Sequence, residues 1–267
     1  MIRTAAVSGS FYAGTKDRLR AQLDALRPGD ASPREALGVV VPHAGYVYSG
    51  RVAAAVYARV IRPETWVIVG PNHTGSGAKA SIMTSGAWET PLGRMAIDAE
   101  LGQTILAHSS TLREDHLAHA REHSIEVQLP FLQAEEPGSR FVPIALFSHD
   151  YEVCRDVGLA AAAAIRATCR RTVLVASTDM SHYVSRAVAT ASDRKAIDAI
   201  LALDPESLHQ VVRREGISMC GFHAAAAVLV AAKALGATSA ELVAYTDSGA
   251  VTGDTTEVVA YAGMVMK

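Results

Sequence analysis

Short runs of aliphatic and β-branched residues alternate along this chain with longer Ala-, Leu-, Arg- and Glu-containing stretches of helical spacing. Residues 37–41, 66–69, 141–147 and 172–176 are apolar almost throughout, which predicts strands. Residues 50–60, 121–132, 153–169, 192–203 and 222–235 carry the helical pattern, the second of these broken near its end by Pro130. Runs at 241–245 and 257–266 close the sheet. Strands that are apolar on both sides need cover on both faces, and interleaved helices supply it. The expected fold is therefore α/β, a three-layer sandwich around a mostly parallel or mixed sheet. Residues 87–98, with Thr90-Pro91-Leu92-Gly93 as a turn, read as a β-hairpin insertion. No linker, low-complexity tract or solenoid repeat interrupts the pattern, so one domain over 1–267 is expected.

The pattern also says where chemistry belongs. In open α/β sheets, ligands sit beyond the carboxyl ends of the strands. One strand runs into Pro42-His43-Ala44-Gly45-Tyr46 and a second into Gly70-Pro71-Asn72-His73-Thr74-Gly75. A third runs into Ser177-Thr178-Asp179-Met180-Ser181-His182-Tyr183. One histidine at a strand exit is ordinary packing; three at equivalent exits argue for a shared site. Cys220, just ahead of the helix predicted from residue 222, is a fourth contributor. A helix N-terminus is expected to favour its thiolate. Cys154 and Cys169 lie in helical context and are expected to be buried and inert.

Two imidazoles and an anionic donor make a mononuclear site with open positions. A thiolate in place of a carboxylate makes it softer, and iron, copper and zinc all suit it. Asp179 is then either a further ligand or, with His182, an acid–base neighbour.

Composition removes other classes. Lys and Arg total 25 against 27 Asp and Glu, with no basic block, so neither nucleic acid nor a membrane surface is an expected partner. The opening residues have no long apolar run after Arg3, so no secretion signal is expected. Three cysteines make no disulfide framework, and the reducing cytoplasm is the expected location. Residues 75–80 mimic a dinucleotide fingerprint, but a hairpin rather than a helix follows, leaving no helix N-terminus for a pyrophosphate. There is no Walker A loop and no Gly-x-Ser-x-Gly elbow. His116, His119 and His123 have helical spacing; the first two read as surface histidines on a solvated helix.

Several blocks then carry a resemblance: Ala6-Val7-Ser8-Gly9-Ser10-Phe11-Tyr12, Val41-Pro42-His43-Ala44-Gly45-Tyr46 with Ser49-Gly50, and Gly70-Pro71-Asn72-His73. Residues 122–132, 177–183 and Cys220-Gly221 complete the set. In this order they resemble the Memo family, whose prokaryotic members are called AmmeMemoRadiSam system protein B. The resemblance implies the fold of class III extradiol dioxygenases. It matches His43, His73 and Cys220 to the family's metal-site residues, and Asp179 and His182 to neighbouring pocket residues. His123 falls in a family motif bordering the cleft. Catechol ring cleavage does not carry over, because Cys220 stands where the dioxygenases have a carboxylate. The expectation is an oxidoreductase- or oxygenase-type metalloprotein, using iron or copper on an unidentified small molecule, with His182, Asp179 and His123 as catalytic neighbours. Two alternatives stand beside it. One is a non-catalytic binding protein that serves partners in a radical-SAM-linked system; the other is a zinc-dependent hydrolase.

Overall fold

A computed structural model describes residues 1–29, 31–136 and 138–267. The elements run β1 (Ile2–Arg3), α1 (Lys16–Leu26), β2 (Gly38–Val41), α2 (Tyr46–Tyr57) and β3 (Thr65–Pro71). Next come β4 (Ala80–Ile82), β5 (Ala87–Thr90), β6 (Gly93–Ala96), α3 (Ala99–His108), β7 (Arg113–Glu114), α4 (Leu129–Glu135) and β8 (Arg140–Leu146). The remainder is α5 (Tyr151–Thr168), β9 (Thr172–Ser177), β10 (His182–Val184), α6 (Arg186–Leu201) and α7 (Pro205–Glu215). The chain ends with α8 (Phe222–Leu235), β11 (Ala240–Asp247), α9 (Gly249–Thr252) and β12 (Val258–Met266).

The large sheet has the order β10-β12-β2-β9-β3-β8-β4-β7, with β11 also paired to β12. Its centre, β2-β9-β3-β8, is parallel, while β12 and β4 flank it antiparallel. Successive side chains of a strand point to opposite faces. Accordingly Val40, Val67 and Val69 join one core with α3 and α5 to α8, and Val39, Val41, Trp66 and Ile68 join a second with α1, α2 and α4. Both faces are covered, as the unbroken apolar runs require. The β5-β6 hairpin pairs with β1 in a separate three-stranded sheet.

The expected helix over 121–132 is not there. Residues 120–125 have no regular structure, a short 3₁₀ turn spans Glu126–Gln128, and the helix begins at Leu129. Pro130 lies in the first turn of α4, where its missing N–H costs nothing, so it starts a helix instead of ending one. His119 is fully buried, contrary to the surface position expected for it. Cys169 also departs from expectation: it is exposed, capping α5 in the left-handed conformation at φ 52°. Among the described residues no helix is long and apolar enough to cross a membrane.

Candidate metal centre

Three neighbouring parallel strands, β2, β9 and β3, end at the same edge of the sheet and release His43, Ser177 to Asp179, and His73 there. The irregular segment after Ala120 brings His123 to the same point. One ring nitrogen from each of His43, His73 and His123 lies within 4.8 Å of the others. The His73 and His123 rings stack at 4.6 Å, and His43 meets both edge-on at 5.2 and 5.4 Å. Cys220 Sγ lies 3.3 Å from His43 Nε2, and Asp179 Oδ2 lies 4.0 Å from the same nitrogen. His43 is buried and His73 exposed, so the group opens to solvent on the His73 side.

Hydrogen bonding fixes which nitrogens are free. The Ser177 hydroxyl donates its one proton to Ser124 O at 2.6 Å and accepts from Gln128 Nε2 at 2.8 Å. Toward His43 Nδ1, 3.0 Å away, it has only a lone pair left, so Nδ1 carries the proton and Nε2 is bare. His73 Nδ1 donates to Glu122 Oε1 at 2.9 Å, so in the neutral ring Nε2 is the free nitrogen. His182 Nδ1 donates to Ser218 O at 2.9 Å, with the same result. A carboxylate or backbone carbonyl on the far nitrogen, as His73 and His182 have, is a usual way a metal-ligating imidazole is oriented.

The charges suit a cation. Burial, then the neighbouring His123, His73 and His182, hold His43 neutral far below the ordinary imidazole range. Burial also lowers His123. Burial alone would raise Glu122, but the hydrogen bond and charge of His73, with the Ser124 amide, hold it down at about 2. Glu122 is therefore ionised and fully buried, held at its oxygens by the His73 amide, the His73 ring and the Ser124 amide. Burial pushes Asp179 up to about 6, against the pull of the His43 amide and the His182 charge.

Cys220 departs from the expected thiolate. Burial, then the Asp179 charge, push its thiol well above the usual range. It precedes the Gly221 N-cap of α8, and a helix end is worth about 0.3–1 kcal/mol, less than one pKa unit. Desolvation outweighs that dipole. A bound cation reverses the balance, because a coordinating thiol gives up its proton.

His43, His73, His123, Asp179 and Cys220 are thus brought together, and His182 stands beside them, half-buried, near enough that a proton on its ring would act on His43 and Asp179. Sequence reasoning missed the supporting roles of Glu122, Ser177 and Gln128. The signal available for Glu122 was a carboxylate directly beside His123. A cavity of about 580 Å³ lined by Leu23, Tyr57, Arg62 and Phe131 opens at the other end of the strands and contains no histidine.

Residues 3–265 match the family model described as Memo-like protein. A MEMO1 family protein of Methanopyrus kandleri is 44% identical, covering 100% of this chain and 99% of its own. Another, from Methanothermobacter thermautotrophicus, is 43% identical over 98% of this chain and 99% of its own. A solved structure described as an uncharacterized protein from Escherichia coli K12 shares the fold, with a TM-score of 0.57 and 14% identity over 85% of this chain and 99% of that one. On the match along its length and the identity to these relatives, this chain belongs to the Memo family.

Proposed function

We propose that this protein holds one metal ion, iron or copper, at His43, His73 and Cys220, and uses it in redox or oxygenase-type chemistry on a small substrate. The observation that carries the reading is the convergence of bare ring nitrogens: His43 and His73 both have Nδ1 committed, and their ligand atoms lie within 4.8 Å. Neutral imidazoles beside a thiol are a donor set for a borderline or soft metal. When bound, such a metal supplies one-electron chemistry and activates oxygen or substrate at its open positions.

The chain's own groups would do the rest. Cys220 would give its proton to Asp179 or solvent on loading. Asp179, pushed up by burial to about 6, and His182, half-buried beside it, would take and return protons there. Glu122 would keep His73 in the required tautomer.

A second reading has an observation of its own. Three histidines with an open position match the donor set of catalytic zinc, in which case His123 replaces Cys220 and a bound water is the nucleophile. Cys220→Ser and His123→Ala separate the two. Under the first reading metal content falls to background in Cys220→Ser and survives in His123→Ala. The reverse pattern, with zinc at full occupancy and no oxygen consumption, contradicts it. All three cysteines are free, which accords with a reducing compartment such as the cytoplasm.

A further inference from the structure

The segment that delivers Glu122 and His123 has no helix or strand of its own between Ala120 and Ile125. An irregular segment needs its backbone groups satisfied from elsewhere. Here Ser177 serves Ser124 O, the Glu122 carboxylate serves the Ser124 amide, and the first dozen residues of the chain serve Glu122 O and, just ahead of the segment, His119 O. Arg3, 7% exposed, donates from Nε to His119 O at 2.6 Å, from Nη2 to Glu122 O at 2.7 Å and from Nη1 to Glu126 Oε2 at 2.7 Å. Glu126 is fully buried, and each of its oxygens accepts twice. Oε2 takes Arg3 and the Ala6 amide at 2.7 Å; Oε1 takes the Val7 amide at 3.1 Å and the Tyr12 hydroxyl at 2.7 Å. From the same strap Phe11 lays its ring 4.7 Å from that of His123, and its carbonyl accepts from the Tyr46 amide at 2.8 Å.

One guanidinium thus grips the segment at residues 119, 122 and 126, on both sides of His123. The carboxylate that answers it is bound back to the strap at three more points. Glu122, whose carbonyl Arg3 holds, presents its side chain to His73. We propose that Arg3 and Glu126 form a clasp that makes the N-terminal strap part of the histidine site: positioning residues that act through Glu122 on His73, and through the backbone on His123. For its effect on metal affinity the proposal rests on the metal reading above; its geometry does not.

The test uses the full-length protein with Glu126→Gln and with the double variant Arg3→Met/Glu126→Gln, which leaves no buried charge unpaired if the single variant folds poorly. Ile105→Val, in the core on the opposite face of the sheet, controls for a general loss of stability. Long-range ¹H–¹⁵N spectra of metal-free protein read the His73 tautomer. Wild type and Ile105→Val are expected to hold the proton on Nδ1, and the clasp variants to average between tautomers as a free imidazole does. Cobalt(II), titrated by its visible absorption, is expected to bind the clasp variants at least about tenfold more weakly, and Ile105→Val as wild type. A wild type that takes no cobalt, with the tautomer still lost in the clasp variants, would sink the metal reading and keep the clasp. Retention of the Nδ1 tautomer in the folded clasp variants would overturn the clasp whatever the cobalt result.

Discussion

At the residue scale, the site is built from committed Nδ1 atoms. His43 depends on a serine hydroxyl whose own proton is spent on Ser124, and His73 on a carboxylate buried without exposure. Neutralising that carboxylate tests the second arrangement. Glu122→Gln is expected to weaken metal affinity by about 10–100-fold while leaving the coordinating side chains in place, as measured by competition with a chelating indicator. Affinity equal to wild type would show that His73 needs no anionic partner. The placement of His43, His73, Asp179 and His182 at one sheet edge was legible, because each follows a strand and parallel strands finish on the same side. The protonation of Cys220 was not legible. It is set by packing around the sulfur and by Asp179, 41 positions away in the chain, and neither shows in the local pattern.

Among the elements, close backbone approaches decide what can change. Gly221, the N-cap of α8, has no room for a Cβ, which would lie 2.5 Å from Ser177 O and 2.7 Å from Thr178 Cβ. Gly158 on α5 is as confined, with a Cβ there meeting Ala227 O and the Val230 side chain on α8. Both Gly→Ala changes should cost about 1–3 kcal/mol by overpacking, measured by chemical denaturation. They should differ in function. Gly221→Ala pushes Cys220 away from His43 and should lose metal; Gly158→Ala presses on α8 at Ala227 and Val230, beyond its first turn, and should keep it. Equal metal content in both would mean that Cys220 placement is not critical. The strands and the long helices were readable because their apolar periods are uninterrupted. The 121–132 segment was not, since its residues carry a helical pattern and Pro130 reads as the end of that helix, whereas it starts α4. Its real constraint is Arg3, 123 residues from Glu126 in sequence, which no local periodicity records.

For the whole molecule, the buried imidazoles make acid stability a sensitive observable. His119 is held near 3 and His223 near 4, both by burial first, and His43 and His123 are lowered too. A lowered histidine binds its proton in the unfolded chain before the folded one, so stability is complete above about pH 6.5 and falls as pH drops toward the folded values. Each such group removes about 1.4 kcal/mol per pH unit in that window. Asp179, raised by burial to about 6, and Asp193, also raised by burial, work in the opposite sense, and four histidines outweigh them. Denaturation of metal-free protein is therefore expected to show stability dropping steeply from pH 6.5 to 4, with a shallower slope in His223→Asn. A flat profile would mean that these imidazoles are protonated in the folded protein. The expected α/β sandwich agrees with the observed sheet because the chain's dominant signal, apolar strands between covering helices, is global and repeated. The site adds interactions that are each made once, over long sequence separations.

The histidines at this edge of the sheet are expected to hold a metal. The most direct test is elemental analysis of protein purified without a polyhistidine tag, beside His43→Ala. Near-stoichiometric iron or copper in the wild type, falling to background in His43→Ala, is the result expected. No metal in the wild type even after anaerobic reconstitution, or undiminished metal in a folded His43→Ala, would contradict it.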